Sequence, residues 1–369
     1  MTKVLHIISD ANIGGAGIYL INYLKHRDRE KYEISVALPR GSLLVERMAP
    51  LGVKLIEIDA MVNKSVDPKA IGILRGVIKS ENPDIVHTHG SMSGRIAGRR
   101  CGKKVVFTRH TAFPMDMPEK TGLKRAAYRM LTCRYADRII AVGEPCKDGL
   151  VKCGVPADLI DTMVNGCDPA ERSAPERAAQ LRESLGIKPG TFTAGIIARL
   201  EDYKGHIHVL EAAKLLKERE RDFKIIIAGT GSMETELHEK AKQLNIENEV
   251  IFTGFVSDVA GLLSVLDLQL NASYLETSSL SLIEGFSIGV PAVASDCAGN
   301  LLLVKSGVNG LTFTMGDSAS LAEKIALCMD DTHRLYDFGK GALRIYRENF
   351  TGQVFAPILK KPTKKLWRA

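Results

Sequence analysis

Short apolar runs recur along the chain, and most stretches between them carry apolar residues three and four positions apart. Residues 3–8 (KVLHII), 34–38, 53–56, 85–87, 105–108, 139–142 and 160–164 read as strands of the fully buried type. Across residues 166–190 the pattern loosens into CDPAERSAPERAAQLRESLGIKPG, where prolines and clustered charge mark a linker with one short helix at 175–185. The alternation then restarts. Strands are predicted at 193–197, 224–228, 250–253, 266–270 and 292–295, with helices at 204–219, after Gly231, at 317–329 and at 332–349, and Asp317 as an N-cap. Strand and helix alternating in this way predict a mostly parallel sheet covered on both faces in each half. The fold class is therefore α/β, two Rossmann-like doubly wound domains facing across a cleft. The division falls at 1–168, joined by 350–369, and 169–349.

In such sheets ligands bind outside the carboxyl ends of the strands, so the loops there hold the candidate chemistry. Glu276 and Glu284 stand eight residues apart in ETSSLSLIEGFSIGVPAVASDCAGN, around a turn entering an apolar helical run that Gly289-Val290-Pro291 ends. A carboxylate among Leu280, Leu282 and Ile283 needs a partner, and a polyol ligand supplies one. Ser278, Ser279 and Leu280 lie at the helix start, where backbone N–H groups can meet an anion or a hydroxyl. Arg199 and Lys204, in ARLEDYKG after the first strand of the second half, are placed at another helix start. Two cations there suit a diphosphate and the charge that develops as it leaves. A surface loop pairing them with Glu201 or Asp202 is the alternative.

Gly14-Gly15-Ala16-Gly17 and Gly229-Thr230-Gly231 follow strands but lack the third glycine of a dinucleotide fingerprint. The second reads as a tight turn. The first, with Gly15 and Ala16, either lets backbone approach a ligand closely or is likewise only a turn. His87 and His89 face one side of an extended segment and raise the question of a metal. No carboxylate, cysteine or further histidine stands at ligand spacing, so no metal site is expected. His110 is the cleft candidate, hydrogen bonding to a substrate hydroxyl or serving only the structure. Paired carboxylates also suit a glycoside hydrolase. Hydrolases, however, set the pair across the sugar from separate elements, whereas here both glutamates sit on one turn and helix.

Composition narrows the setting. The chain of 369 residues is 45% hydrophobic and 25% charged, with no apolar run long enough for a bilayer, and Met1-Thr2-Lys3 does not open a signal peptide. Seven cysteines without a C-x-x-C pair argue against both a disulfide framework and a zinc site. The net charge of +7 is concentrated in residues 1–165, which hold 26 Lys/Arg against 17 Asp/Glu. Lys120, Lys124, Arg125, Arg129, Arg134 and Arg138 alternate with Leu123, Tyr128, Met130 and Leu131. This reads as a basic amphipathic face for an anionic membrane surface or an acidic substrate, or equally as a solvated helix face. No nucleic-acid module is recognisable.

Four motifs in order, GGAG after the first strand, TRH with His110, ARLEDYKG, and the E-x7-E pair Glu276 and Glu284, make the chain resemble the retaining glycosyltransferases of family 4, of GT-B fold. VNGCDP, IIIAGTGS, IFTGFV and SGVNGLTF are supporting echoes, and the resemblance spans roughly residues 1–349. It implies transfer of a sugar from a nucleotide diphosphate sugar, a UDP-sugar before a GDP-sugar, to an acceptor hydroxyl, without a required metal. By the resemblance, Arg199 and Lys204 bind the diphosphate, Glu284 the ribose and Glu276 the donor sugar. His110 contacts that sugar, Gly15 and Ala16 admit phosphate and acceptor, and Phe255 and Val256 border the base. The expected acceptor is a saccharide in surface polysaccharide synthesis or a lipid-linked one in glycolipid synthesis, the latter suggested only by the basic first domain, and composition places the protein in the cytosol, free or peripheral on the inner face of the membrane. A nucleotide-sugar epimerase or hydrolase, or a non-catalytic binder, is the alternative on the same fold. The chain departs from the pattern in Thr277-Ser278-Ser279, in Ala298, and in the proline-containing basic segment after Phe350.

Overall fold

The structure is a computed structural model that describes residues 1–11, 13–59, 66–111 and 122–354. The chain forms two compact units, Met1–Gly166 with the described residues from Gly352 onward, and Cys167–Thr351. Lys120 and the basic segment beyond Val354 lie outside the described residues.

The first unit runs β1 (Thr2–Ile8), α1 (Gly15–His26), β2 (Tyr32–Pro39), α2 (Leu44–Met48), β3 (Lys54–Ile58), α3 (Pro68–Glu81) and β4 (Ile85–His89). It continues with α4 (Met92–Arg100), β5 (Lys104–Arg109), α5 (Gly122–Arg134), β6 (Arg138–Val142), α6 (Glu144–Lys152) and β7 (Ile160–Met163). The seven strands are parallel in the order β3-β2-β1-β4-β5-β6-β7. Each strand feeds two cores, which is why the strands read as continuous apolar runs. Val4 and Ile8 pack with Tyr19, Leu20 and Leu24 of α1, while Leu5 and Ile7 pack with Leu74 and Ile78 of α3. Burying each such leucine or isoleucine contributes about 1.5–3 kcal/mol.

The second unit runs α7 (Pro175–Ser184), β8 (Phe192–Ile197), α8 (His206–Glu218), β9 (Phe223–Ala228), α9 (Glu234–Gln243), β10 (Val250–Gly254) and α10 (Val259–Ser264). It closes with β11 (Leu268–Asn271), α11 (Leu280–Ser287), β12 (Ala292–Ser295), α12 (Ala298–Leu303), β13 (Gly310–Phe313), α13 (Ser318–Asp330) and α14 (Thr332–Asn349). Its six strands are parallel in the order β10-β9-β8-β11-β12-β13. Both sheets are thus doubly wound, as the alternation predicts. The order turns back between β1 and β4 in one and between β8 and β11 in the other, and such points are where open sheets hold ligands.

The structure corrects three expectations. The supposed linker is docked on the second unit: Ala170 N donates to Ser287 Oγ at 2.9 Å, Ser173 N to Ser264 Oγ at 2.9 Å, and Arg182 Nη1 to the Val265 carbonyl at 2.9 Å. Its charged residues tie down loops, and Ala178 and Leu181 pack on the core beneath. The strand β13 was not expected, because GLTF is short and opens on glycine. The helix expected at 204–219 starts instead at His206, because Gly205 adopts a left-handed conformation with φ 67°. A side chain at Gly205 would also strike the Ala272 carbonyl, so both conformation and space require glycine there. Asp317 does cap α13, accepting from Ser320 N at 2.9 Å. The cysteines are free thiols, and among the described residues no helix is long and apolar enough to cross a membrane.

Candidate active site

In the second unit the loops leaving β8 and β11 meet at the turn-back point of the sheet. After β8 the chain makes a single tight turn, Asp202–Lys204, before the left-handed Gly205. Lys204 therefore precedes α8 rather than opening it. Its ammonium donates to Glu276 Oε2 at 2.6 Å, with the two side chains only 15% and 11% exposed. The other carboxylate oxygen, Oε1, accepts from Thr277 N at 3.2 Å. Desolvated to this degree, each charge depends on the other.

Arg199 does not join this pair. It is exposed, and its Nη2 donates to the Tyr203 hydroxyl at 2.6 Å, while the Lys204 ammonium stands 5.4 Å from the centre of the Tyr203 ring. Tyr203 thus contacts Arg199 through its hydroxyl and neighbours Lys204 through its ring. Its aromatic face, next to a lysine, was not read from the sequence as part of the site.

The segment carrying Glu276 is held from beneath by a buried polar lattice. Asn300 Nδ2 donates to Ser295 Oγ at 2.9 Å and to Asn271 Oδ1 at 3.2 Å, and Ser295 Oγ donates to the Ser273 carbonyl at 2.6 Å. Asn271 and Ser295 are the last residues of β11 and β12, so each apolar strand ends on a polar group that fixes the following loop. That polar ending was the signal available in the sequence. Gly299 matters too, since a Cβ there would collide with the Glu276 carbonyl. A further chain positions Tyr274: its hydroxyl lies 2.5 Å from His208 Nε2, and His208 Nδ1 lies 3.0 Å from Ser318 Oγ.

Thr277, Ser278 and Ser279 are buried, and Ser279 is the N-cap of α11, its Oγ lying 3.1 Å from Ser281 Oγ rather than accepting from a backbone N–H of the first turn. Ser279 thus leaves the first-turn backbone N–H groups of α11 without a cap from its side chain, as an anion-binding or hydroxyl-binding turn requires. Glu284 is half-buried on α11, one turn beyond Leu280. Phe255 and Val256 part company after β10. Phe255 is 57% exposed, whereas Val256 packs on the core cluster around Ile226 and Leu262.

In the first unit, Gly15 opens α1 with no atom of the described residues near the position a side chain would take, and Ala16 packs on the core. The carboxyl ends of β1, β4 and β5 carry a stack of imidazoles. His6 Nδ1 lies 3.0 Å from His89 Nε2, and His89 Nδ1 lies 3.0 Å from His110 Nε2. His87 Nε2 lies 2.7 Å from Thr108 Oγ1, and the Tyr19 ring meets His110 edge-on at 4.8 Å. Burial holds His6 and His89 well below the usual histidine range, with neighbouring histidines adding to the effect, and lowers His87 and His110 to about 3. All four are neutral near pH 7. The premise that no further histidine accompanies His87 and His89 does not hold: His6 comes from the adjacent strand, with ligand atoms of the three within 4.8 Å of one another. A partner some eighty residues away leaves no trace in local spacing. The His6–His89 and His89–His110 hydrogen bonds engage both ring nitrogens of His89 and one of His6, nitrogens that a metal would otherwise have to take.

Residues 178–344 match the model for glycosyl transferases group 1, and residues 13–171 match that for Glycosyltransferase Family 4. The UDP-Gal:alpha-D-GlcNAc-diphosphoundecaprenol alpha-1,3-galactosyltransferase of Escherichia coli is 28% identical over 72% of this chain and 71% of its own length. The D-inositol 3-phosphate glycosyltransferase 2 of Catenulispora acidiphila is 26% identical over 93% of this chain and 88% of its own. Among solved structures, Anabaena HepE in complex with UDP and glucose superposes with a TM-score of 0.86 at 23% identity, covering 99% of this chain and 100% of that one. With both units matched in turn and both sheets wound alike, the chain is a glycosyltransferase of the GT-B fold.

Proposed function

We propose that the protein transfers a sugar from a UDP-sugar to an acceptor hydroxyl with retention of anomeric configuration. The observation that carries this reading is the Lys204–Glu276 pair at the turn-back point of the second sheet. An ammonium offers three donors, and Glu276 takes one, so Lys204 keeps capacity for a diphosphate oxygen. The Glu276 carboxylate likewise keeps lone pairs for sugar hydroxyls beyond those given to Lys204 and Thr277. Arg199 assists Lys204 at the diphosphate, Glu284 accepts from the ribose hydroxyls, and the first turn of α11 with Ser278, Ser279 and Leu280 faces phosphate. Phe255 borders the base, with Val256 as its support. From the first unit the reading takes His110 as a hydrogen-bonding group for the sugar and the Gly15–Ala16 turn as a point of backbone approach.

The chemistry is positioning and charge neutralisation. The bond from the anomeric carbon to the phosphate oxygen breaks, the bond from that carbon to the acceptor oxygen forms on the same face, and the acceptor proton passes to the departing phosphate. No side-chain base is needed for that balance. UDP is favoured because it is the nucleotide bound in the Anabaena structure, and a lipid-linked saccharide acceptor because of the E. coli relative's substrate. UDP should raise the melting temperature more than GDP does, and UDP release from a UDP-hexose should depend on added acceptor. Sugar conversion without acceptor would instead establish the epimerase alternative, and no stabilisation by either nucleotide would overturn the donor assignment.

We also place an anionic-membrane contact on α5. Leu123, 89% exposed, and Met130 and Leu131 project outward with Arg125, Arg129 and Arg134 on the same exposed helix. Salt-sensitive binding to phosphatidylglycerol vesicles is expected, and absence of binding at low ionic strength would remove the assignment.

A further inference from the structure

The imidazole stack in the first unit is a directional object. A neutral imidazole carries one N–H and one bare nitrogen, so each contact in the chain His6–His89–His110 needs a donor on one side and an acceptor on the other. Only two arrangements satisfy both contacts. In one, His6 Nδ1–H donates to His89 Nε2 and His89 Nδ1–H donates to His110 Nε2, which leaves the remaining proton of His110 on Nδ1. In the other, every proton is reversed and His6 carries its proton on Nε2.

The far end of the chain decides between them. His6 Nε2 is buried and has no hydrogen-bond partner among the described residues. An orphaned buried N–H is among the rarest features of folded proteins, whereas an under-used acceptor is better tolerated. The first arrangement leaves a bare lone pair at that position, and the second would strand a proton there. Charging the chain is not an escape, because burial holds His6 and His89 far below their ordinary range.

We propose that His6 and His89 are positioning residues that fix His110 as its Nδ1–H tautomer, so that His110 meets its ligand as a hydrogen-bond donor. This rests on the reading of His110 as a sugar-contacting group and deepens it: the hydroxyl or ring oxygen it addresses must accept. The sheet supplies the alignment. His6 is paired in register with His87, Ile8 with His89, and His89 with Thr108, so the rings project from one face of three adjacent strands and His110 follows the last of them directly. Tyr19 closes the stack, with ring centres 5.9 Å from His89 and 4.8 Å from His110.

The test has an arm that needs no activity. In protein labelled with 15N-histidine, the ring nitrogens of His110, assigned by difference from His110→Gln, should show a protonated Nδ1 and a bare Nε2. His89→Phe should abolish that preference and lower kcat about tenfold with little change in donor KM, the size expected for one lost hydrogen bond. His89→Asn, whose amide N–H can stand in for Nδ1–H, should recover most of both. A melting temperature for each variant separates these effects from misfolding. A protonated Nε2 on His110 in the unmutated protein would overturn the proposal whether or not transfer is detected. An unaltered His110 tautomer and kcat in a folded His89→Phe would do the same. Zinc alone shifting the His6, His87 and His89 signals together at stoichiometric concentration would replace the tautomer chain with a metal site. If the tautomer is as proposed but no donor or acceptor supports turnover, the transferase reading fails while the hydrogen-bond chain stands.

Discussion

The two sheets have the same winding and put polar groups at the same place, yet they fill it with opposite chemistry. At the carboxyl ends of β1, β4 and β5 sit four imidazoles kept neutral by burial, whereas beside β8 and β11 sit a shielded ammonium and a carboxylate. A neutral stack conveys direction, through which nitrogen carries the proton. An ion pair conveys charge. The scaffold determines where a site lies, and the residues that end each strand determine which of these it offers.

The largest expected break in this contrast is at the charged end. Lys204→Ala should lower kcat/KM for the nucleotide-sugar by roughly a hundredfold or more, as for loss of a preorganised charge contact. It also strands Glu276 in a shielded site, so Lys204→Ala with Glu276→Gln should be more stable than Lys204→Ala alone. Steady-state kinetics and urea unfolding check the two statements, and unaltered kinetics would remove Lys204 from the site.

The neutral end should show itself in acid. His87, with a folded value of about 3, stays uncharged in the native state while the unfolded chain takes up a proton below about pH 6.5. The unfolded state then binds more protons, so stability must fall as pH is lowered from about 6.5, by roughly 2 kcal/mol for His87 alone on reaching pH 5. His6 and His89 act with the same sign. In the second unit His206, lowered to about 4, adds a similar contribution, so the contrast lies in number. Urea titrations at pH 7 and 5 measure the slope, and His87→Gln should flatten it.

The smallest effect is expected where charge plays no part. Phe255→Ala should raise the KM for the UDP-sugar only a few-fold, because an exposed ring at the edge of a base gives up part of one stacking contact. A loss as large as that at Lys204 would move Phe255 to the centre of the site.

Much of the fold was legible, because strands buried on both faces must be apolar throughout and helices between them must be periodic. The short strand β13 escaped for want of length. The helix that begins at His206 rather than Lys204 escaped because no periodicity reveals a left-handed Gly205. Lys204 and Glu276 were both named from the sequence, but their union depends on β8 lying next to β11, which only the three-dimensional winding supplies. Tyr203, Asn300 and His6 were passed over for the same reason. Each acts through a neighbour that is remote in sequence or hidden by a turn, and a tyrosine, asparagine or histidine taken alone looks ordinary.

The bond between Lys204 and Glu276 carries one more consequence. A ligand that reaches only the ammonium draws it from its carboxylate and leaves that carboxylate poorly solvated, whereas a ligand with phosphate and sugar can answer both ends at once. If the two residues hold the donor as proposed, intact donor is favoured over the spent nucleotide by this internal competition. On the proposed reading, re-forming of the Lys204–Glu276 bond would favour departure of the product, so one contact would serve both recognition of the donor and clearing of the site.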